Sequence, residues 1–100
     1  MLKQNTPYIR VFKLVTSEEI IARVSEETES YYMIERPLQP VQSDKGIRLV
    51  PYFFMADLEK ASRLNKALVM IDASPPKDIE SLYESVISGI ALPTKSSIIT

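Results

Sequence analysis

In several short stretches of the chain apolar side chains fall at every second position, in one they fall at every third or fourth, and polar or proline-bearing breaks separate them. Residues 8–15 are rich in β-branched and aromatic side chains and stop at Thr16-Ser17-Glu18, a trio suited to a turn, which predicts a first strand. Ile20, Ala22 and Val24 then alternate with Ile21, Arg23 and Ser25, giving residues 19–25 one apolar and one mixed face, the pattern of a half-buried strand. After the break Glu26-Glu27-Thr28-Glu29-Ser30 the β pattern resumes over 31–36, and Pro37, which lacks a backbone donor, is expected to end this third strand. Pro37 and Pro40 argue against regular pairing up to Lys45, and Ser43-Asp44-Lys45-Gly46 carries the residues of a tight turn. A fourth strand over 47–55 is apolar on both faces, with Pro51 implying a bulge, a bend or a free edge. Residues 57–65 form a charged connector with room for one helical turn, and 66–73 form a fifth strand, apolar from Ala67 to Ile71.

The 3.6-residue period appears once. Ile79, Leu82, Tyr83, Val86, Ile87 and Ile90 share one helical face, Ser74 is placed to cap, Pro75-Pro76 suit the first helical positions, and Asp78 and Glu80 suit the positive end of the dipole. With Gly89 as a left-handed terminus, the helix is expected over 75–89 and a flexible tail over 92–100. The whole reads as one mainly β domain, residues 1–91, with a C-terminal α-helix.

Composition narrows the chemistry more than the fold. One hundred residues with 45% hydrophobic and 25% charged side chains suffice for one core. No apolar run reaches the roughly 18 residues of a membrane span and no leader pattern opens the chain, so a cytoplasmic protein without membrane association is expected. The chain has no cysteine and no histidine, which removes thiol nucleophiles, disulfides, zinc-thiolate sites and the commonest general base. A binding module is therefore expected before an enzyme, with no cofactor and no metal. Neither Glu35 with Arg36 nor Asp72 with Lys77 has a distinctive catalytic spacing. The formal net charge of −1 argues against phosphate binding by the whole surface and leaves room for a local basic patch.

Three clusters stand out. Arg63, Asn65 and Lys66 combine two cations and an amide in a connector, a set that can contact phosphates and base edges or be an ordinary solvated loop. Tyr31 and Tyr32 follow the acidic turn and could stack a nucleobase, although strand neighbours point to opposite faces, so at most one reaches a ligand. Glu18, Glu19, Glu26, Glu27, Glu29 and Glu35 make an acidic edge without the spacing of a calcium loop. The two-sided apolarity of the fourth and fifth strands, with Val50, Tyr52, Phe54, Leu68 and Met70 as contact residues, suggests pairing of one copy's fourth strand with the fifth of the next in a homo-oligomeric ring.

Five short strands in one strongly bent antiparallel sheet resemble the small SH3-like barrel of the Sm-like family, which includes the LSm proteins and bacterial Hfq. Val15 to Glu35 carries the hydrophobic spacing of the first Sm motif, with Ala22 at its glycine, Thr28 at its aspartate, and Tyr31 and Tyr32 at its methionine-asparagine pair. Arg63-Leu64-Asn65-Lys66-Ala67-Leu68 is similar to the arginine-glycine-asparagine run of the second motif, with leucine in place of glycine, and the convincing helix lies at the C-terminus where the family has one at the start. The Glu18-Glu19-Ile20-Ile21 run resembles the second strand of Sm-like proteins of marine phages, which implies a host cytoplasm as the place of action. The resemblance implies a ring that binds single-stranded RNA or DNA in processing, chaperoning or scaffolding. Arg63 and Lys66 would contact phosphates, Asn65 a base edge or the loop itself, and Tyr31 or Tyr32 a base. The alternative is a structural or protein-interaction ring without nucleic acid, docking through the acidic edge or the helix.

Overall fold

The computed structural model describes residues 6–53 and 55–91. Six strands, β1 (Tyr8–Leu14), β2 (Glu19–Glu27), β3 (Tyr31–Ser43), β4 (Gly46–Pro51), β5 (Ser62–Asn65) and β6 (Val69–Ala73), precede one helix, α1 (Lys77–Ala91), and a single 3₁₀ turn at Lys66–Leu68 joins β5 to β6. All the pairings are antiparallel. The order is β4-β3-β2-β1-β6, with β5 also on β3. The first half of β3 pairs with β5 and the second half with β4, so β4 and β5 run along one side of β3, separated in sequence by the loop 52–61. The sheet does not close: β4 and β6 are its two ends.

Alternation along β2 sorts the core into two layers. Ile20, Ala22 and Val24 are buried on the inner face with Phe12, Leu14, Tyr32, Ile34 and Leu64, while Ile21 faces the other way and packs with Leu38, Leu49 and Tyr83. Ile79, Leu82, Val86 and Ile87, the apolar stripe of α1, cover that second face against Ile9 and Val11.

Several expectations need correction. Six strands stand where five were expected. Ser62–Asn65, read as connector, is a strand because Leu64 fills the inner layer while Arg63 and Asn65 stay exposed. The third strand does not end at Pro37. Arg36 and Pro37 form a bulge opposite β2, with Arg36 at φ 49°, and β3 resumes at Leu38. The Tyr83 hydroxyl donates to the carbonyl oxygens at this bulge, 2.9 Å from Arg36 and 3.2 Å from Glu35. The fourth strand stops at Pro51 instead of running to Met55, and Phe54 lies outside the described residues. The fifth expected strand begins only at Val69 (β6), since Asn65 caps a 3₁₀ turn by accepting from the Ala67 N–H. Ser74 does not cap α1: its hydroxyl accepts from Arg10, and the Pro76 carbonyl takes the first helical bond, from Glu80. Gly89 lies within the helix, and the expected tail over 92–100 falls outside the described residues. The turn at Ser43-Asp44-Lys45-Gly46 is present, with Gly46 at φ 112°, a backbone that requires glycine.

Candidate functional site

One end of the inner face is polar, and six side chains from five elements meet there. Period-2 alternation in β1 puts Tyr8 and Arg10 on the same side as Phe12, and the pairing of Phe12 with Asp72 brings β6's single charge to that side. The C-terminal end of β2 contributes Glu27, β3 contributes Tyr32, and the 3₁₀ turn contributes Lys66. Lys66 Nζ donates to Glu27 Oε2 at 2.7 Å, Tyr8 donates to Glu27 Oε1 at 2.9 Å, Arg10 Nε donates to Asp72 Oδ1 at 3.1 Å, and Tyr32 donates to Asp72 Oδ2 at 3.2 Å. Lys66 Nζ also sits 4.8 Å from the centre of the Tyr32 ring. Tyr8, Arg10, Glu27, Tyr32 and Asp72 line an open depression of about 460 Å³.

The electrostatics are those of a self-neutralised cluster. The hydrogen bond from Lys66 holds the Glu27 carboxyl below its ordinary range, and that from Arg10 does the same for Asp72. Burial, followed for Tyr8 by the bond to Glu27 and for Tyr32 by the Asp72 charge, pushes both phenols up to about 12. Each carboxylate thus has one cation and one phenol, and Lys66, expected to face phosphate, is already paired.

The five residues expected to contact nucleic acid divide between two surfaces. Tyr32 is 6% exposed and contributes its ring to the inner core, tilted against Phe12. Lys66 lies beside it, and the Asn65 amide oxygen is occupied by the loop. Tyr31 and Arg63 come together on the outer side of the β3–β5 pair, where the guanidinium lies 5.3 Å from the Tyr31 ring centre and Arg63 is exposed. Four members of the inner cluster, Tyr8, Arg10, Glu27 and Asp72, were not singled out for this site. The available signal was a charge within each of two mainly apolar strands, on the face that alternation gives to Phe12 in the first: Arg10 in YIRVFKL, whose other charge Lys13 falls on the opposite face, and Asp72 in VMIDA.

Of the expected contact residues between copies, Leu68 and Met70 are 49% and 55% exposed, whereas Val50 and Tyr52 are half-buried, Tyr52 against the inner core. No group of three or more acidic, histidine or cysteine side chains able to hold a metal ion occurs among the described residues. Nor is any described helix long and apolar enough to cross a membrane. No protein-family model matches the chain, and no curated protein matches it.

Proposed function

We propose that this chain is a self-associating binding module of Sm-like type that takes single-stranded nucleic acid on the outer face of the β3–β5 pair. The observation that carries this reading is the pairing of a half-buried Tyr31 with an exposed Arg63: an aromatic ring for a base and a planar cation for a phosphate, side by side on a regular strand pair. Self-association is supported by the two sheet ends, β4 and β6, and by the exposed Leu68, Met70 and Ile71 on and beside β6. Repetition of one weak site around an assembly raises the affinity for a strand that spans several copies.

The test is fluorescence anisotropy with labelled oligo-U and oligo-A at several salt concentrations. Binding that weakens with salt, and about ten-fold on Arg63→Ala, is the expected result. Absence of binding at low salt rejects it. A second reading, a protein-interaction assembly without nucleic acid, is favoured by the pairing of Lys66 with Glu27 and of Arg10 with Asp72, which leaves the inner cluster without an unpaired cation among the described residues.

A further inference from the structure

The two ends of the sheet are not equally open. β6 is bulged: its register against β1 shifts between Lys13 and Leu14 and leaves Met70 with no facing residue, which blunts an edge. β4 pairs with β3 without a shift from Gly46 to Pro51, so its outer edge is regular. The two-residue turn makes Ser43 and Gly46 a hydrogen-bonded pair, and alternation then directs the backbone groups of Gly46, Arg48 and Val50 to β3. Ile47, Leu49 and Pro51 turn theirs outward, and of these only Ile47 and Leu49 carry an N–H. Ile47 is 45% exposed, and Arg48 and Pro51 are exposed as well. Arg48 lies on the inner face, opposite to Leu49 of the helix-side layer, and has no charged partner among the described residues. Tyr52 also turns to the inner face; it and Thr16 donate to Glu18 Oε1, at 2.6 and 3.5 Å, while Oε2 has no partner among the described residues.

We infer that the edge of β4 is a self-complementary docking surface that pairs antiparallel with β4 of a second copy about a two-fold axis at Leu49. Leu49 then faces the partner's Leu49, Ile47 the partner's Pro51, and Arg48 the partner's Val50. The inference rests on the self-association reading above and names its surface. Outward-turned residues pair only with outward-turned ones, so the permitted registers step by two residues and keep helix-bearing face beside helix-bearing face. Centred on Leu49, both edge N–H groups find a carbonyl within β4: that of Leu49 on the partner's Leu49, and that of Ile47 on the partner's Pro51. Centred on Arg48, the donors are also satisfied, but two arginines stand directly opposite each other, which is destabilising. Centred on Ile47 or Val50, one edge N–H is left facing the turn or the loop after Pro51. In the favoured register Arg48 stands diagonal to the partner's Tyr52, and its guanidinium meets the partner's Glu18 beyond that ring. The two-fold repeats this contact, and apolar side chains meet on the helix-bearing face.

A chain without cysteine is a clean background for testing this by crosslinking. Ile47→Cys and Pro51→Cys, both at exposed positions, are made as separate full-length variants. Each is oxidised alone and in an equal mixture and run on a non-reducing gel. In this register the two cysteines stand about 5.5 Å apart at Cα, within disulfide reach, whereas either residue is offset from its own copy by four positions, about 13 Å. The mixture is expected to form crosslinked dimers about ten-fold faster than either variant alone. An oligomer by light scattering in which the mixture crosslinks no faster than the single variants overturns this pairing and leaves self-association standing. A monomer overturns both.

Discussion

Removing the hydroxyl of Tyr83 tests the joint between helix and sheet. The side chain is fully buried, its ring packs against Ile21, Leu38 and Leu49, and its oxygen lies 2.9 Å and 3.2 Å from the Arg36 and Glu35 carbonyl oxygens. These carbonyls belong to the bulge that carries β3 through Pro37, where Arg36 holds a left-handed φ of 49° that is itself unfavourable by about 1 kcal/mol or more. Tyr83→Phe keeps the ring and deletes the donor, so the cost is that of leaving buried acceptors without a partner, about 1–3 kcal/mol, not the 3–5 kcal/mol of emptying the ring's volume. In a domain of this size that lowers Tm by roughly 4–8 °C per kcal/mol.

A second readout separates the hydroxyl from any packing change. Burial raises the Tyr83 phenol from 10.0 to about 12, so its contribution is complete below pH 10 and disappears as pH rises towards 12. Two units correspond to at most about 3 kcal/mol. Urea unfolding at about pH 8 and across the alkaline limb, for wild type and variant, makes the comparison. A variant within about 0.5 kcal/mol of wild type at pH 8, with an unchanged alkaline limb, would refute the reasoning.

At the acid end Glu27 and Asp72 both have folded values below their ordinary values of 4.5 and 3.8, so their stabilisation is present above those values and is lost as pH falls through the folded ones. Because Glu27 and Lys66 are each about a third exposed, Lys66→Met should cost less than about 1 kcal/mol near neutrality and flatten the acid limb; an unchanged urea midpoint profile below pH 5 contradicts this. Gly46→Ala meets no steric neighbour yet must adopt φ 112°, and should lose about 1–2 kcal/mol in thermal unfolding; a neutral result would mean that the hairpin rearranges.

Where one periodicity acted alone, the fold was legible in the sequence. The α1 stripe from Ile79 to Ile87 and the alternation Ile20, Ala22, Val24 each announce the face that is buried. The Ser43–Gly46 turn declares itself through residues whose conformational preferences are local. The missed features depend on partners distant in sequence. Ser62–Asn65 has one apolar residue and is a strand only because Tyr31 to Ile34 pairs with it. Pro37 stops a strand in isolation, but here a bulge absorbs it and a tyrosine 46 positions later satisfies the freed carbonyls. The candidate site was half legible for the same reason. Tyr31 and Arg63 were singled out separately and meet across strands, whereas the roles of Arg10 and Asp72 follow from the β1–β6 register, which no local pattern encodes.

That register also bears on where a ligand can bind. The inner cluster joins elements that share few or no backbone bonds: Lys66 of the 3₁₀ turn reaches Glu27 of β2, and Tyr32 of β3 reaches Asp72 of β6. Side chains thus tie together the end of a sheet that does not close through its strands. A phosphate approaching Lys66 or Arg10 must displace a carboxylate already held at hydrogen-bond distance, and so gains only the difference between two similar charge-assisted bonds. The Arg63 guanidinium faces an aromatic ring instead of an acid, and a phosphate on it displaces water alone. For equal numbers of contacts the outer pair therefore gives the larger net gain, which is why Arg63, not Lys66, is the residue whose loss should weaken binding about ten-fold and lower its salt dependence.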